Sequence, residues 1–287
     1  MQGELVRLRT SDNVFLHGMF CTSESPQADR PFDAAILVHG LGGNFYGSRL
    51  NLNIAQRLLE LGIHVLLVNT RGHDDVSLTT RAGKAVYLGA AFEIVDECRF
   101  DLTAFVDFLS QREIHRVAYV GHSLGAIKSI YCQASQPREE IKAIIALSAS
   151  RLSFEKFMAS EAREKFQATF RRADELVQQG QGGQLIKVDF PFPTHMVAEA
   201  YVDKYGPADR YNWLRYANQI DVPALLTFGE KEILENAAFQ GIESDISEMS
   251  LPKELWDIRK IPGADHFYSG RQAELLEVIC GWIHNRT

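Results

Sequence analysis

Short apolar runs recur along the chain, and most of them lack the apolar–polar alternation of a strand that faces water. Uninterrupted runs of this length indicate strands that are buried on both faces of a parallel sheet. They lie at residues 34–38, 64–68, 116–120, 142–147, 224–228 and 256–261. Two earlier segments, residues 4–10 and 14–20, do alternate around a turn-forming Ser-Asp-Asn stretch and predict a further pair of strands.

Helical patterns lie between most of these runs. Their apolar residues follow the helical period at residues 50–61, 93–110, 126–135 and 274–284. Strands that alternate with helices predict right-handed crossovers and an α/β fold with a doubly wound, mostly parallel sheet. Ligands of such sheets bind at the carboxyl ends of the strands. Here those ends carry glycines, histidines and carboxylates, so we expect the functional site at that edge.

One long stretch, residues 150–222, departs from this alternation because it contains no apolar run typical of a buried strand. It combines a helical segment, a Gly/Gln-rich joint and an aromatic-rich segment. Long insertions in compact domains are usually functional. We interpret residues 150–222 as a helical cap over the strand ends, and residues 1–149 and 223–287 as the core. The alternative is an ordinary surface subdomain.

The motif Gly121-His122-Ser123-Leu124-Gly125 fits the G-x-S-x-G pattern of a nucleophile elbow. A serine on a sharp strand-to-helix turn adopts strained backbone angles, and its hydroxyl then projects from the sheet. The flanking positions come close together and require small residues. An apolar strand pattern enters the motif and a helical pattern leaves it, as this geometry requires. Ser123 is therefore the candidate nucleophile.

A serine nucleophile needs a general base and a group that orients it. His266 follows the last predicted strand and is the candidate base. Glu232, three residues after Gly229 at the end of another predicted strand, is the first candidate for the acid, and Glu230 is the alternative. Residues two apart share a face while a chain stays extended, so periodicity does not separate them. The chain order serine, acid, histidine is that of the nucleophile-elbow enzymes.

The negative charge of a tetrahedral intermediate needs hydrogen-bond donors. We expect the backbone N–H of Leu124, directly after the nucleophile, and that of Leu41, in the glycine-rich loop after the first buried strand. That loop does not fit a nucleotide site. A dinucleotide fingerprint from Gly40 would need glycine where Phe45 stands, and a P-loop would need Lys and Ser/Thr where Ser48 and Arg49 stand.

Composition narrows the class of partner. The net charge is −7 and no block of Lys or Arg occurs, which argues against nucleic acid. No apolar run is long enough to span a membrane, and no secretory signal pattern opens the chain, so stable membrane insertion is not expected. The four cysteines form no C-x-x-C pair, and neither they nor the histidines have metal-ligand spacing. These features predict a cytoplasmic protein with reduced thiols.

The chain resembles the α/β-hydrolase superfamily over nearly its whole length. The resemblance rests on the segments His39–Gly43, Asn69–His73, Gly121–Gly125 and Gly263–His266. It implies a Ser123–Glu232–His266 triad, no metal or organic cofactor, and a small-molecule substrate held between core and cap. Two departures stand out, since the acid is Glu where Asp is commoner, and Asp74-Asp75 stands where Gly or Ser is usual.

These observations lead to a functional hypothesis. The protein is expected to be a serine hydrolase that cleaves an ester, or a related acyl bond, of a small, partly apolar or aromatic substrate through an acyl-enzyme. A carbon–carbon bond hydrolase or an acyltransferase would use the same triad. A non-catalytic receptor for a small ligand is the alternative from another class, and it normally goes with a lost triad member.

Overall fold

The computed structural model describes residues 2–286. Its strands are, in chain order, β1 (Glu4–Arg9), β2 (Phe15–Cys21), β3 (Ala34–Val38), β4 (His64–Asn69), β5 (Ser77–Arg81), β6 (Lys84–Leu88), β7 (Val117–His122), β8 (Ile141–Leu147), β9 (Leu185–Val188), β10 (Thr194–Val197), β11 (Ala224–Gly229) and β12 (Trp256–Ile261). Eight of them form one sheet in the order β1-β2-β4-β3-β7-β8-β11-β12. Strand β2 is antiparallel to β1 and β4, and all other neighbours are parallel.

Helices cover both faces of this sheet. They are α1 (Arg49–Glu60), α2 (Cys98–Ser110), α3 (Leu124–Ser135), α4 (Phe154–Ala159), α5 (Arg163–Gln178), α6 (Ala198–Tyr205), α7 (Glu230–Glu235), α8 (Ile242–Glu248) and α9 (Gln272–His284), with short 3₁₀ turns at Val95–Glu97, Trp213–Arg215 and Ala217–Gln219. Helices α1 and α9 pack with one apolar cluster, whereas α2 and α3 belong to the other. Strands β3, β7 and β11 are buried on both faces, which explains their uninterrupted apolar sequences.

The predicted α/β fold with a doubly wound, mostly parallel sheet is confirmed by this topology. Three features differ from the sequence prediction. Strands β5 and β6 form a separate hairpin at residues 77–88, where no element was predicted, because none of their residues is buried in the core. Helices α7 and α8 lie where no helix was predicted, and they are only six and seven residues long. The joint after α5 is followed by strands β9 and β10, a two-stranded hairpin that was not predicted and whose strands are only partly buried.

Residues 150–222 build a substantial part of the apolar interior. Phe157 and Phe166 of helices α4 and α5 meet Phe190 with ring centroids 4.8 and 5.0 Å apart. Trp213 is fully buried and its Nε1–H donates to the carbonyl of Ala149 at 3.1 Å. The segment is therefore packed on the sheet and its helices through buried rings. Within residues 2–286, no helix is long and apolar enough to cross a membrane.

Candidate active site

Ser123 lies on the turn between strand β7 and helix α3. Its backbone has φ 56° and ψ −121°, in the region that L-residues rarely adopt. A Cβ atom on Gly121 would lie 2.3 Å from the carbonyl oxygen of Gly125, and one on Gly125 would lie 2.2 Å from that of Val38. Only glycine fits at either position. The turn is held on the sheet by the Ser123 N–H, which donates to the Leu147 carbonyl at 2.8 Å.

His266 follows strand β12 and reaches Ser123 across the sheet edge. The distance from its Nε2 to Ser123 Oγ is 2.9 Å. The backbone carbonyl of His266 accepts a hydrogen bond from His122 Nε2 at 2.7 Å. Burial lowers the pKa of His122 to about 3, so this neighbour of the nucleophile is neutral and adds no charge beside the imidazole. The two loops are thus joined by a side chain on one and a backbone group on the other.

Glu232 completes a hydrogen-bonded chain with these two residues. Its Oε2 lies 2.7 Å from His266 Nδ1, and its carboxylate is almost fully buried. The Oε1 atom accepts from the Gly229 N–H and from the Ser148 hydroxyl, each at 2.7 Å. Three hydrogen bonds therefore hold the carboxylate in one orientation, which in turn fixes the imidazole.

Glu230, the alternative acid, does not contact His266. Its Oε2 accepts from the Gly263 N–H at 2.9 Å and so supports the loop that carries His266. The chain does not stay extended after Gly229, because helix α7 begins at Glu230. Residues two apart on a helix are separated by about 200°, so the two carboxylates point in different directions.

Ser148 and Tyr268 form a polar layer behind Glu232 that the sequence analysis did not identify. The Ser148 and Tyr268 hydroxyl oxygens are 2.9 Å apart, and the Thr227 hydroxyl oxygen lies 2.7 Å from that of Tyr268. All three side chains are fully buried. The one signal in the sequence is that Ser148 directly follows the apolar run of β8, at the edge where the other site residues lie.

A cavity of about 760 Å³ opens above Ser123. Core residues on its wall include Leu41, Leu124 and Phe239, and residues 150–222 contribute Leu152, Phe157, Phe192 and Tyr205. No Asp or Glu lines it within the described chain, and Arg49 is the one lining residue with a formal charge when histidine is neutral. In the same described part of the chain, no group of three or more His, Cys, Asp or Glu side chains is arranged to hold a metal ion.

A family model described as the alpha/beta hydrolase family matches residues 35–278, which span the sheet, the Ser123 turn and the His266 loop. The chain belongs to this family, and its membership supports a hydrolase activity. A sequence search of the curated proteins gave no match.

Solved structures share the fold at low sequence identity. The alpha/beta hydrolase GrgF from Penicillium sp. sh18 is 13% identical with a TM-score of 0.72, covering 100% of this chain and 99% of that one. Est1E from Butyrivibrio proteoclasticus with bound ferulic acid is 16% identical, with a TM-score of 0.63 and coverage of 97% and 98%. The Pyrococcus furiosus esterase Pf2001 is 17% identical, with a TM-score of 0.63 and coverage of 98% and 92%.

Proposed function

We propose that the protein is a serine hydrolase that cleaves a carboxylic ester through an acyl-enzyme, with Ser123, His266 and Glu232 as its catalytic triad. The observation that carries this proposal is the continuous chain from Ser123 Oγ to His266 Nε2 at 2.9 Å and from His266 Nδ1 to Glu232 Oε2 at 2.7 Å. A hydroxyl, an imidazole and a buried carboxylate in this order provide the proton path for acyl transfer.

In the proposed reaction Ser123 Oγ attacks the ester carbonyl carbon while His266 Nε2 takes its proton. Glu232 stabilises the imidazolium and keeps Nδ1 protonated. The C–O bond of the tetrahedral intermediate then breaks as His266 returns the proton to the leaving alcohol. Water, deprotonated by His266, attacks the acyl carbon. The bond from this carbon to Ser123 Oγ then breaks as His266 returns the proton to Oγ, which releases the carboxylic acid and restores the enzyme.

The backbone N–H groups of Leu41 and Leu124 are the proposed oxyanion donors. Both residues line the cavity beside Ser123, and Leu124 directly follows it. Gly40 brings the Leu41 backbone close, because a Cβ atom at Gly40 would lie 3.1 Å from Ser123 Cβ. Donors fixed in place before the reaction stabilise the developing charge without reorganisation.

We propose that residues 150–222 are a cap that selects the substrate. The side chains that this segment presents to the cavity are largely apolar, with Phe157, Phe192 and Tyr205 among them. Such a wall favours a partly apolar or aromatic ester, and the 760 Å³ volume is in the range of small-molecule sites. Ferulic acid, bound by the structurally similar Est1E, suggests methyl ferulate as an aromatic test ester.

A cytoplasmic location stays a prediction, consistent with four free cysteines.

The test compares the wild type with Ser123→Ala on p-nitrophenyl acetate, p-nitrophenyl butyrate and methyl ferulate. We expect kcat to fall by at least about 10³-fold, because loss of a triad nucleophile typically removes several orders of magnitude. The wild type, and not the variant, should also be labelled by a fluorophosphonate. A loss below about tenfold, or labelling that persists in the variant, would rule out Ser123 as the nucleophile.

A further inference from the structure

The peptide between Gly40 and Leu41 is held from its carbonyl side. The Gly40 carbonyl oxygen lies 2.8 Å from His39 Nδ1 and also accepts from the Gly43 N–H at 3.1 Å. The C=O and N–H of a trans peptide point in opposite directions. Fixing this carbonyl toward His39 therefore fixes the direction of the Leu41 N–H on the opposite side.

The bond to Gly40 also determines the tautomer of His39. A carbonyl oxygen cannot donate, so Nδ1 must carry the proton, and a neutral imidazole then has an accepting Nε2. Two groups of Thr70 approach that nitrogen, the backbone N–H at 3.1 Å and the hydroxyl oxygen at 3.0 Å. His39 is 1% exposed, and burial lowers its pKa to about 3, so the ring stays neutral at any ordinary pH.

Thr70 is in turn oriented by a buried lysine. If its single hydroxyl proton goes to His39 Nε2, the oxygen must accept from elsewhere, and Lys128 Nζ lies 3.2 Å away. Lys128 is paired with Glu93 at 2.5 Å, and both side chains are fully buried. On the other side of Thr70, the Arg71 N–H donates to the buried Asp101 at 2.8 Å, which holds the loop after β4 in place.

The chain of contacts ends in the segment 150–222. Lys204 of helix α6 is buried, and its Nζ lies 3.9 Å from Glu93 Oε2. Burial alone would raise the pKa of Glu93, but Lys128 and Lys204 hold it below its ordinary value. Two buried lysines share one carboxylate here, and removing these charged groups from water costs free energy that their mutual attraction offsets only in part.

We propose that Thr70 is a positioning residue, which takes its orientation from the Lys128–Glu93 pair and holds the His39 ring with its Nδ1–H against the Gly40 carbonyl, so that the Leu41 N–H is aimed at the substrate oxyanion. This inference rests on the proposed function, because Leu41 is an oxyanion donor only if Ser123 is a nucleophile. It assigns a role to four buried polar residues that the triad does not use.

A matched pair of variants tests the role of the hydroxyl. Thr70→Val replaces it with a methyl of similar size, whereas Thr70→Ser keeps it. We expect kcat on p-nitrophenyl acetate to fall about tenfold to a hundredfold in Thr70→Val, somewhat less than complete loss of one oxyanion donor. KM should change by less than twofold in both variants, and Thr70→Ser should retain at least a third of the wild-type kcat. Equal kcat in the two variants, or a loss confined to KM, would overturn the proposal.

A second measurement needs neither a variant nor activity. Ring ¹⁵N chemical shifts of His39 in the wild type should show a protonated Nδ1 and a bare Nε2, unchanged from pH 5 to 9. A proton on Nε2 would overturn the network even if Thr70→Val is inactive or fails to fold. If Ser123→Ala keeps full hydrolysis, only the proposed function fails. The position of the His39 ring proton then still tests whether His39 is hydrogen-bonded to Gly40 and Thr70 as described.

Discussion

The two walls of the cavity are built on different physical principles. The core wall consists of loops at strand ends, where Ser123, His266 and Glu232 are joined by hydrogen bonds of 2.9 Å or less. The wall from residues 150–222 presents aromatic and aliphatic side chains such as Phe157 and Phe192. Hydrogen bonds restrict the distance between donor and acceptor to within a few tenths of an ångström and also restrict its direction. Apolar packing tolerates changes of shape as long as the total volume is kept.

This contrast separates two kinds of change. A substitution on the core wall is expected to change the rate of the chemical step, because it disturbs groups that act only in a fixed geometry. A substitution on the other wall is expected to change which substrate fits. The triad acid and the apolar wall each test this division, and Lys204 tests how residues 150–222 are attached to the core.

The largest effect is expected at the triad acid. Glu232→Gln keeps the shape but removes the charge that stabilises the imidazolium, so kcat on nitrophenyl esters should fall by about 10³- to 10⁴-fold. Glu230→Gln is the matched control, because Glu230 bonds the Gly263 N–H and not His266. It should retain at least a tenth of the wild-type kcat. Equal losses in the two variants would contradict the assignment of Glu232.

The buried contact of helix α6 with Glu93 of the core offers a pH-dependent test at Lys204. Burial lowers the pKa of Lys204 from 10.5 to about 8, so between these values the unfolded chain binds more protons than the folded one. The free energy of unfolding therefore rises with pH through this window, and the cost of burying the charge is full below pH 8. Lys204→Met removes this cost. Its stability relative to the wild type should be highest at pH 7 and should fall by about 3 kcal/mol towards pH 10.5.

Denaturant unfolding of both proteins at several pH values measures that difference. Lys187→Met, at an exposed lysine in the same segment, is the control and should show a constant difference from the wild type. A constant difference for Lys204→Met would mean that Lys204 is not buried as a cation against Glu93.

The smallest effect is expected on the apolar wall. Phe192 is half-exposed and lines the cavity, so Phe192→Ala should raise KM for methyl ferulate about three- to tenfold and leave kcat within twofold. Leu185→Ala, also half-exposed in residues 150–222 but outside the cavity lining, should change neither constant. A fall in kcat without a change in KM would show that this wall also orients the reacting groups.

Much of the core wall is predictable because its signals are local. Strands such as β3 and β7 are buried on both faces and therefore have uninterrupted apolar sequences, and the strained turn at Ser123 requires glycine two residues away on each side. The sequence placed Ser123 and His266 at strand ends for the same reason. The choice between Glu230 and Glu232 depended on where helix α7 begins, which a six-residue helix signals poorly.

What the sequence missed depends on contacts between distant residues. Ser148 contacts Glu232, which is 84 positions away in the chain, and Tyr268, which is 120 positions from Ser148, so no local pattern relates these residues. The hairpin of β5 and β6 has strands of only five residues, and none of these residues is buried, so it lacks the pattern of a core strand. The contacts of Lys128 with Thr70 and Glu93 join three segments that are distant in the sequence. Lysine is rarely buried, so the sequence alone predicts that Lys128 faces the solvent.

The hydrogen bond from His122 Nε2 to the His266 carbonyl has a consequence for thermal motion. The residue next to the nucleophile is tied directly to the main chain of the base, so a displacement of one turn carries the other with it. Correlated displacement leaves the separation of Oγ and Nε2 nearly constant, although the two atoms belong to separate turns at the sheet edge. We therefore expect the reacting pair to keep its spacing on warming until the sheet edge itself begins to open.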